Sequence, residues 1–545
     1  MTQRTALSPA LLPWHKLALL AALALAWLWP GLVGHQPWKP DEAQTFGVVY
    51  ALLQGGDWRV PMLAGQAALD QAPLYHWVAA AFARVFGGWL LPLHDAARLA
   101  TGFFMGLALL FAGLTGRELL GEGNGRIAVL LFIGCLGLML RAHEMIPDVA
   151  LLAGFAAACY GLVLGLRSYW GGVALGCGLG VMFLARSSVI WALLPLTALC
   201  LPLLGREWRS LRWLRAGLLG LLVALPWVLS WPLALYLHQP ALWREWLALL
   251  SPLPQLAQAA QLPWREHFDY LRMLPWFAWP AWPLALWALW QGRAHWRTPR
   301  LLLPLLLFGL GLLLLSAGPD TRDVRALPLL LPLALLATEA VKTLRRGAAA
   351  ALDWFGLTTF GLLAAFFWFA WVALMTGVPQ RYAAHLLRLQ PGYQPEFAWG
   401  GFLLALAYSL AWVAIVSRLR RGNRRAVVNW AAGATLLWGV FMSLWLPWLD
   451  AGKSYRGVLG QLREVLPVQA GCVAGRGLGV PQRALLHYHA GLLVRQGDAS
   501  ERACRYLLLQ GDSRRPAQTE PGWRLLWSGH RPGDKLERFW LYERG

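Results

Sequence analysis

The first long apolar segment of the chain is followed directly by the stretch Trp38-Lys39-Pro40-Asp41-Glu42-Ala43-Gln44, which contains two adjacent acids. The apolar segment, residues 17–33, is long enough to cross the hydrocarbon core of a bilayer. Acidic side chains at the mouth of a membrane helix are costly unless they are paired, solvated or used. A later acid, Asp148, ends the stretch His143-Glu144-Met145-Ile146-Pro147-Asp148 at an equivalent boundary. Two acids at helix mouths on one face indicate a reaction centre at that membrane surface.

The composition is that of a polytopic α-helical membrane protein. Of the 545 residues, 58% are hydrophobic and only 14% are charged, whereas about a quarter of an ordinary soluble chain is charged. The 34 Trp residues fit interfacial belts, in which a ring is half buried while its N–H stays hydrated. Residues 17–33 lack a small-residue cleavage site, so the first span is expected to be retained.

The net charge of +21 is distributed as a membrane protein requires. Basic clusters at residues 206–215, 293–300, 342–346 and 418–425 each lie between two apolar spans and fall on the same side if the spans alternate. This is the positive-inside pattern of cytoplasmic loops. No aromatic-basic module accompanies the charge, so nucleic-acid binding is excluded as an interpretation.

Hydropathy predicts about thirteen transmembrane helices, which would place the N-terminus in the cytoplasm and the C-terminus outside. The predicted spans are residues 16–34, 97–115, 127–142, 149–166, 171–186, 188–204, 216–235, 271–290, 301–317, 326–341, 352–376, 397–416 and 426–448. The predicted domains are a transmembrane domain over residues 1–450 and a small periplasmic α/β domain over residues 451–545.

Three segments are predicted to project from the outer face. The first, 35–95, carries amphipathic stretches near 42–54 and 74–87 that indicate interfacial helices; the second is 236–270. The third is the C-terminal tail, in which short apolar runs predict a helix and strands. The helix is expected at 484–492 and the strands at 506–509, 524–527 and 539–542. In a periplasmic tail, Cys472 and Cys504 could form a disulfide or remain thiols.

The first outer segment contains three motifs in order: Asp41-Glu42-Ala43, Gly56-Asp57-Trp58-Arg59-Val60-Pro61 and Ala72-Pro73-Leu74-Tyr75-His76-Trp77. This order resembles the GT-C glycosyltransferases that use polyprenyl-phosphate sugars, a group that includes the lipid A aminoarabinose transferases and the protein O-mannosyltransferases. Further similar segments follow over nearly the whole chain. They are Arg98 with 115–121, then 143–148, 267–276, 316–328 and 453–456.

Three departures from the family pattern concern the donor phosphate. The family's usual Lys and Arg are replaced here by Gln71-Ala72 and Gln44. The loop at 316–328 lacks the family's Tyr and carries Arg322 and Arg325. The resemblance therefore leaves three readings open, namely a rewired phosphate site, a different donor or reduced activity.

The resemblance implies a transferase of the bacterial inner membrane. It would move a sugar, with inversion, from a polyprenyl (undecaprenyl) phosphate carrier to a periplasmic acceptor such as lipid A, another glycolipid or a protein. Asp41 is the expected general base, because a carboxylate must take the proton of the acceptor hydroxyl. Asp148 would organise the acceptor, with Glu42 as a supporting partner. The alternative is that these acids only begin helices, where negative charge is favoured.

The leaving phosphate needs cations near the outer interface. The candidates are Arg322, Arg325, Arg59 and Arg141, with Arg186 at a span boundary; Arg suits bidentate phosphate contact. The alternatives are ion pairing of Arg322 and Arg325 with Asp320 and Asp323, and snorkelling of Arg186. Substrate or lipid contacts are expected from Tyr75, His76, Tyr270 and Trp276.

No cofactor is expected to be required. His267, His487 and Asp70 are candidates for a structural divalent metal site on the outer face, because His and carboxylates suit zinc; the alternative is that they are ordinary surface side chains. The expected partners are the lipid-linked donor, the acceptor and membrane lipids, for a monomeric protein. Two other functions remain open: a catalytically weakened carrier-binding relative, and a flippase or transporter, which would show mid-membrane charges and paired halves.

Overall fold

Long apolar helices form most of the molecule, and a small sheet lies near the C-terminus. The structure, a computed structural model, describes residues 14–186, 189–318, 321–419, 422–467, 471–514, 522–534 and 536–545. The first helices are α1 (Trp14–Leu28), α2 (Asp41–Leu53), α3 (Leu74–Phe86), α4 (Leu93–Leu120), α5 (Asn124–Ile133), α6 (Leu136–Arg141), α7 (Pro147–Leu164), α8 (Trp170–Ala185), α9 (Leu193–Leu204), α10 (Leu211–His238), α11 (Pro240–Leu250) and α12 (Pro252–Ala259). The others are α13 (Asp269–Phe277), α14 (Ala281–Gly292), α15 (Pro299–Ser316), α16 (Leu327–Thr343), α17 (Arg346–Thr376), α18 (Gln380–Leu389), α19 (Trp399–Arg418), α20 (Asn423–Lys453), α21 (Arg456–Val465), α22 (Val480–Ala490) and α23 (Asp498–Ala503).

The described parts of the predicted spans fall largely on helices, and the count of about thirteen stays a prediction. Within the described ranges, eight helices are long and apolar enough to cross a membrane by length and composition: α4, α7, α10, α15, α16, α17, α19 and α20. Shorter apolar helices are α1, α5, α8 and α9. Two predicted spans are each divided into two helices. The span at 271–290 is divided before Pro280, which has no N–H for a helical hydrogen bond. The span at 127–142 is divided at Gly134, whose carbonyl accepts a hydrogen bond from Trp430 Nε1 at 2.9 Å.

Small residues allow the central helices to pack closely. On α7 and α8, Gly161 lies so near the backbone of Leu175 that a Cβ would approach its nitrogen to 2.3 Å. Gly154 similarly faces the carbonyl of Gly178, at 2.7 Å from the position of a Cβ. Such contacts between small residues are the usual means by which membrane helices associate. They bury α7 on almost all sides and fix the position of Asp148 in its first turn.

The strands form a short hairpin in the first outer segment and a five-stranded sheet in the tail. The hairpin is β1 (Met62–Leu63) and β2 (Gln66–Ala67). The sheet contains β3 (Val473–Arg476), β4 (Arg495–Gln496), β5 (Tyr506–Asp512), β6 (Trp523–Gly529) and β7 (Glu537–Arg544), in the order β4-β3-β5-β7-β6. Strand β3 is parallel to β4 and β5, and β7 is antiparallel to β5 and β6. The three predicted strands are present, and a disulfide joins Cys472 to Cys504.

The tail packs against the first outer segment. Gly47 of α2 contacts α22 so closely that a Cβ would lie 2.6 Å from that of Ala484. The Nη1 of Arg483 donates to the side-chain oxygen of Gln66 at 2.6 Å. Helix α22 begins at Val480, earlier than predicted. Helix α18, between α17 and α19, was not predicted from the sequence.

Candidate active site

The acidic pair lies where the sequence analysis placed it, at the start of a helix. Asp41 and Glu42 occupy the first turn of α2, where the helix dipole favours negative charge. Each carboxylate also pairs with an arginine that is distant in the chain, so helix capping alone does not explain why an acid stands at either position. Glu42 is buried, whereas Asp41 is partly exposed.

Asp41 forms an ion pair with Arg322. An Nη2 of the guanidinium lies 2.5 Å from Oδ1 of Asp41, although 281 residues separate the two. The backbone of Arg322 is held by Tyr270, whose hydroxyl accepts its N–H at 3.2 Å. A carboxylate and a guanidinium are therefore fixed side by side on a partly open surface. Arg325 lies one turn further on, half buried.

A second cluster is centred on Arg141. Its guanidinium contacts both carboxylate oxygens of Asp323 at 2.9 Å through Nη2, and Nη1 donates to Glu144 at 2.6 Å. Burial raises the pKa of Glu144 to about 7, and the charges of Glu42 and Asp41 act in the same direction, although Arg141 opposes them. Glu144 therefore changes protonation state near neutral pH.

Buried hydrogen bonds hold Glu42 in place. Its Oε1 accepts from Nε of Arg98 at 2.9 Å and from the backbone N–H of Met145 at 3.0 Å, and its Oε2 accepts from the N–H of Trp38 at 3.1 Å. Burial acts to raise the pKa of Glu42, but the charge of Arg98 and these donors lower it to about 2. Glu42 is thus an anion at neutral pH that fixes the turn before Asp41; its supporting role in catalysis stays a prediction.

Asp148 also forms an ion pair. Its Oδ2 accepts from Nη1 of Arg186 at 2.7 Å, and the side chain of Asp148 is nearly buried. The helix start at Pro147-Asp148, predicted as an alternative, is observed as well. Both interpretations of Asp148 are therefore compatible with its position.

Several predicted site residues have partners of their own. Tyr75 and His76 are completely buried: the Tyr75 hydroxyl lies 2.6 Å from Thr101 Oγ1, and His76 Nδ1 lies 3.0 Å from the carbonyl of Ala72. These contacts assign both residues to the core of the loop. Arg59 bonds to Asp57 in its own turn at 3.0 Å. Tyr270 supports Arg322 from a buried position, while the ring of Trp276 is exposed.

The expected metal ligands do not come together. Among the residues that the structure describes, no three His, Cys, Asp or Glu side chains form a group that could hold a metal ion. His267 Nδ1 lies 2.9 Å from the carbonyl of Ser316, Asp70 accepts from Gln71, and the ring of His487 packs against Tyr50. Asp320, the alternative partner for the arginines, lies outside the described residues.

Comparison with known proteins gives the family. A model of the dolichyl-phosphate-mannose-protein mannosyltransferases matches residues 70–231. An undecaprenyl phosphate-alpha-4-amino-4-deoxy-L-arabinose arabinosyl transferase of Pseudomonas aeruginosa PAO1 is 31% identical over 447 residues, covering 77% of this chain and 73% of that protein. Its counterpart in Pseudomonas savastanoi is 31% identical over 385 residues, with coverage of 68% and 69%. The chain belongs to the GT-C glycosyltransferases of this family.

Solved structures agree with the fold of this glycosyltransferase. The ArnT protein of Cupriavidus metallidurans bound to undecaprenyl phosphate has a TM-score of 0.72 at 16% identity, covering 97% of this chain and 98% of that one. An oligosaccharyltransferase of Archaeoglobus fulgidus has a TM-score of 0.50 at 11% identity, covering 91% of this chain and 69% of that one. The chain is thus a multi-pass membrane glycosyltransferase, as its composition and motifs predicted.

Two acids of the glycosyltransferase site were not among the predicted site residues. Glu144 is one residue of the 143–148 motif, and Asp323 is the alternative ion-pair partner of Arg322 and Arg325. The sequence predicts these two residues poorly, because the position of an acid in a short loop does not show which side chain it contacts in the fold. The signal that was available is position, since both lie in loops predicted to face outward together with Asp41.

Proposed function

We propose that this glycosyltransferase transfers a sugar from an undecaprenyl-phosphate carrier to an acceptor at the periplasmic face, with Asp41 as general base. The pairing of Asp41 with Arg322 at 2.5 Å carries the proposal. Transfer from a lipid phosphate needs a carboxylate for the acceptor proton and a cation for the departing phosphate. This pair supplies both within one contact.

The step balances without a cofactor. The acceptor oxygen forms a bond to the anomeric carbon, its proton passes to Asp41, and the bond from that carbon to the phosphate oxygen breaks. Arg322 turns towards the phosphate as its charge develops, which releases the Asp41 carboxylate to accept the proton. Arg141, which is paired with Asp323 and Glu144, is a second cation that could turn towards the phosphate.

The donor class is proposed from the names of the relatives. Their names specify an aminoarabinose on undecaprenyl phosphate, and the same donor class is proposed here. The acceptor is lipid A or another glycolipid, with a protein as the remaining alternative. Gln71, which stands where the family pattern has a Lys, is buried and donates to Asp70. Arg322 therefore binds the donor phosphate in place of that Lys.

In the proposed topology, this site lies at the periplasmic face of the membrane. About thirteen crossings, with the N-terminus in the cytoplasm, place α2, α3 and the tail on the periplasmic side. The disulfide between Cys472 and Cys504 supports this, because such bonds persist in the periplasm and are rare in the cytosol.

The test is transfer by the purified full chain in lipid nanodiscs. The donor is undecaprenyl phosphate-aminoarabinose, the acceptor is lipid A, and the product is detected by mass spectrometry. We expect Asp41→Asn to lower kcat by about 100-fold or more, the usual loss of a general base. The matched control is Asp353→Asn, because Asp353 pairs with Arg425 away from the site. Turnover of Asp41→Asn at the wild-type rate would refute Asp41 as the general base. Turnover that depends on Asp41 would exclude the alternative that the protein binds the carrier without catalysing transfer.

A further inference from the structure

An apolar groove of about 460 Å³ lies between α14 and the first three turns of α17. One face of each helix forms its walls, because residues 280, 283, 284 and 287 and residues 348, 351, 352 and 355 recur at helical spacing. The α17 wall contains the small Ala348 and Ala351, opposite the large ring of Trp287. The two helix faces therefore leave space between them, and both alanines are exposed.

The groove ends far from the Asp41–Arg322 pair. Arg322 lies just before α16, whereas Arg345, which lines the groove, lies just after it. The 17 residues of α16 span about 26 Å, which is most of the thickness of a bilayer core. The end of the groove at Arg345 therefore lies at the opposite membrane face from the candidate active site. In the proposed topology, that face is the cytoplasmic one.

A hydrogen-bond donor in the groove lacks an acceptor. The indole Nε1 of Trp287 is buried and has no hydrogen-bond partner among the described residues. A buried N–H without a partner is costly, and membrane lipid tails cannot satisfy it. The guanidinium carbon of Arg345 lies 5.9 Å from the centre of the same Trp287 ring. An unused donor and a cation thus lie side by side at one end of an apolar groove.

The positive charge at this end of the groove is not neutralised by the neighbouring acids. Glu339 lies 2.6 Å from Nζ of Lys342, and Asp353 lies 3.1 Å from Nε of Arg425. In the part of the chain that the structure describes, no ion pair includes Arg345-Arg346. Such a groove is complementary to a molecule with an anionic head and an aliphatic chain.

We propose that this groove binds an anionic glycerophospholipid, with its phosphate at Arg345 and one acyl chain between α14 and α17. Arginine suits phosphate, and the Trp287 N–H donates to an ester or phosphate oxygen of the same lipid. The undecaprenyl-phosphate donor is a different lipid, because its phosphate is needed at Arg322 on the other face. The inference therefore goes beyond the proposed function and does not rest on it.

The test is photolabelling of the purified full chain by phosphatidylglycerol that carries a photoreactive group in its acyl chain. Peptide mapping by mass spectrometry should find the label on α14 and on the first turns of α17. We expect Arg345→Gln to raise the lipid concentration needed for half-maximal labelling about tenfold, the loss of one charged hydrogen bond. Ala351→Trp should abolish labelling, because the indole fills the groove. Both side chains are exposed, so the fold should tolerate either change.

Two controls match these variants. Arg300→Gln removes an exposed arginine outside the groove, and Ala350→Trp adds the same ring at an exposed neighbouring position that does not line it; neither should change the labelling. Labelling that Arg345→Gln or Ala351→Trp leaves unchanged would overturn the proposal.

Two competing lipids identify the occupant. Unlabelled phosphatidylglycerol should displace the probe, whereas phosphatidylcholine should compete weakly. Equal competition by phosphatidylcholine would disprove the preference for an anionic head, and equal competition by undecaprenyl phosphate would assign the groove to the carrier. No sugar donor or acceptor is present, so failure of this test leaves the proposed transferase intact, and failure of sugar transfer leaves the groove assignment intact.

Discussion

Replacement of Glu42 by glutamine should destabilise the protein, because this carboxylate is the buried counter-charge of Arg98. The Arg98 side chain is fully buried, and it donates to Glu42, to Asp95 and to the carbonyls of Leu32 and His35. Glu42→Gln leaves the shape almost unchanged but removes one of the two negative charges that balance the guanidinium. The rest of this network cannot restore that charge.

The size of the loss follows from the pKa of Glu42. The ordinary value of 4.5 falls to about 2 in the folded protein, which corresponds to about 3 kcal/mol of stability at neutral pH. Removing one partner of a buried ion pair costs about 3–5 kcal/mol in other proteins, so the two magnitudes agree. Because the folded-state pKa is lowered, this contribution is fully present above about pH 4.5 and is lost as the pH falls towards 2.

The assay is unfolding of the full chain by SDS from mild detergent, followed by tryptophan fluorescence. At pH 7 the free energy of unfolding of Glu42→Gln should lie about 3 kcal/mol below that of the wild type. At pH 3 the difference should shrink to about half or less. Glu464→Gln, which changes an exposed glutamate on α21, is the control and should unfold like the wild type. A Glu42→Gln protein as stable as the wild type at pH 7 would refute the reasoning.

Two further results are expected. The raised pKa of Glu144, about 7, means that the stability it contributes is present below its ordinary pKa of 4.5 and is lost as the pH rises through 7. The thermal midpoint of the wild type should therefore fall between pH 5 and 8, and Glu144→Gln should flatten that fall; an unchanged slope would contradict this. Replacing Cys472 and Cys504 together by serine should lower the stability of the tail by about 4 kcal/mol, from the chain entropy of a loop with a separation of 32 residues. Limited proteolysis measures that loss, and equal resistance with and without the disulfide would disprove it.

The sequence predicted the elements whose signal is local. Long apolar runs predicted the membrane helices, and short apolar runs bounded by turn residues predicted the strands of the tail, because both signals lie in neighbouring residues. Helix α18 was not predicted, because its polar amphipathic sequence gives no hydropathy peak. The breaks at Gly134 and Pro280 were missed for a related reason, because hydropathy averages over a single disrupted turn.

The site could be predicted by location but not by contact. Predicted sidedness assigns Asp41, Asp148 and Arg322 to one membrane surface; the structure pairs Asp41 with Arg322, and the assignment of Asp148 to the same site stays a prediction. Sidedness could not show that Arg322 would meet Asp41 across 281 residues, because such a contact depends on how distant helices pack. Tyr75 is a further case: a motif match cannot tell a side chain that contacts substrate from one that is buried behind the site.

The attachments of the Trp38–Lys39 turn have a consequence for biosynthesis. This turn emerges early, yet Asp450 and Glu537 hold it, and Glu537 follows Lys39 by 498 residues. At about 5–20 residues per second, a ribosome needs roughly 25–100 s to make the intervening chain. During that interval the turn next to Asp41 has its bond to Glu42 but lacks the two distant contacts with Asp450 and Glu537. Until Glu537 has been made and folded, Lys39 lacks this counter-charge, so a chain truncated before β7 is expected to be less active than the full chain.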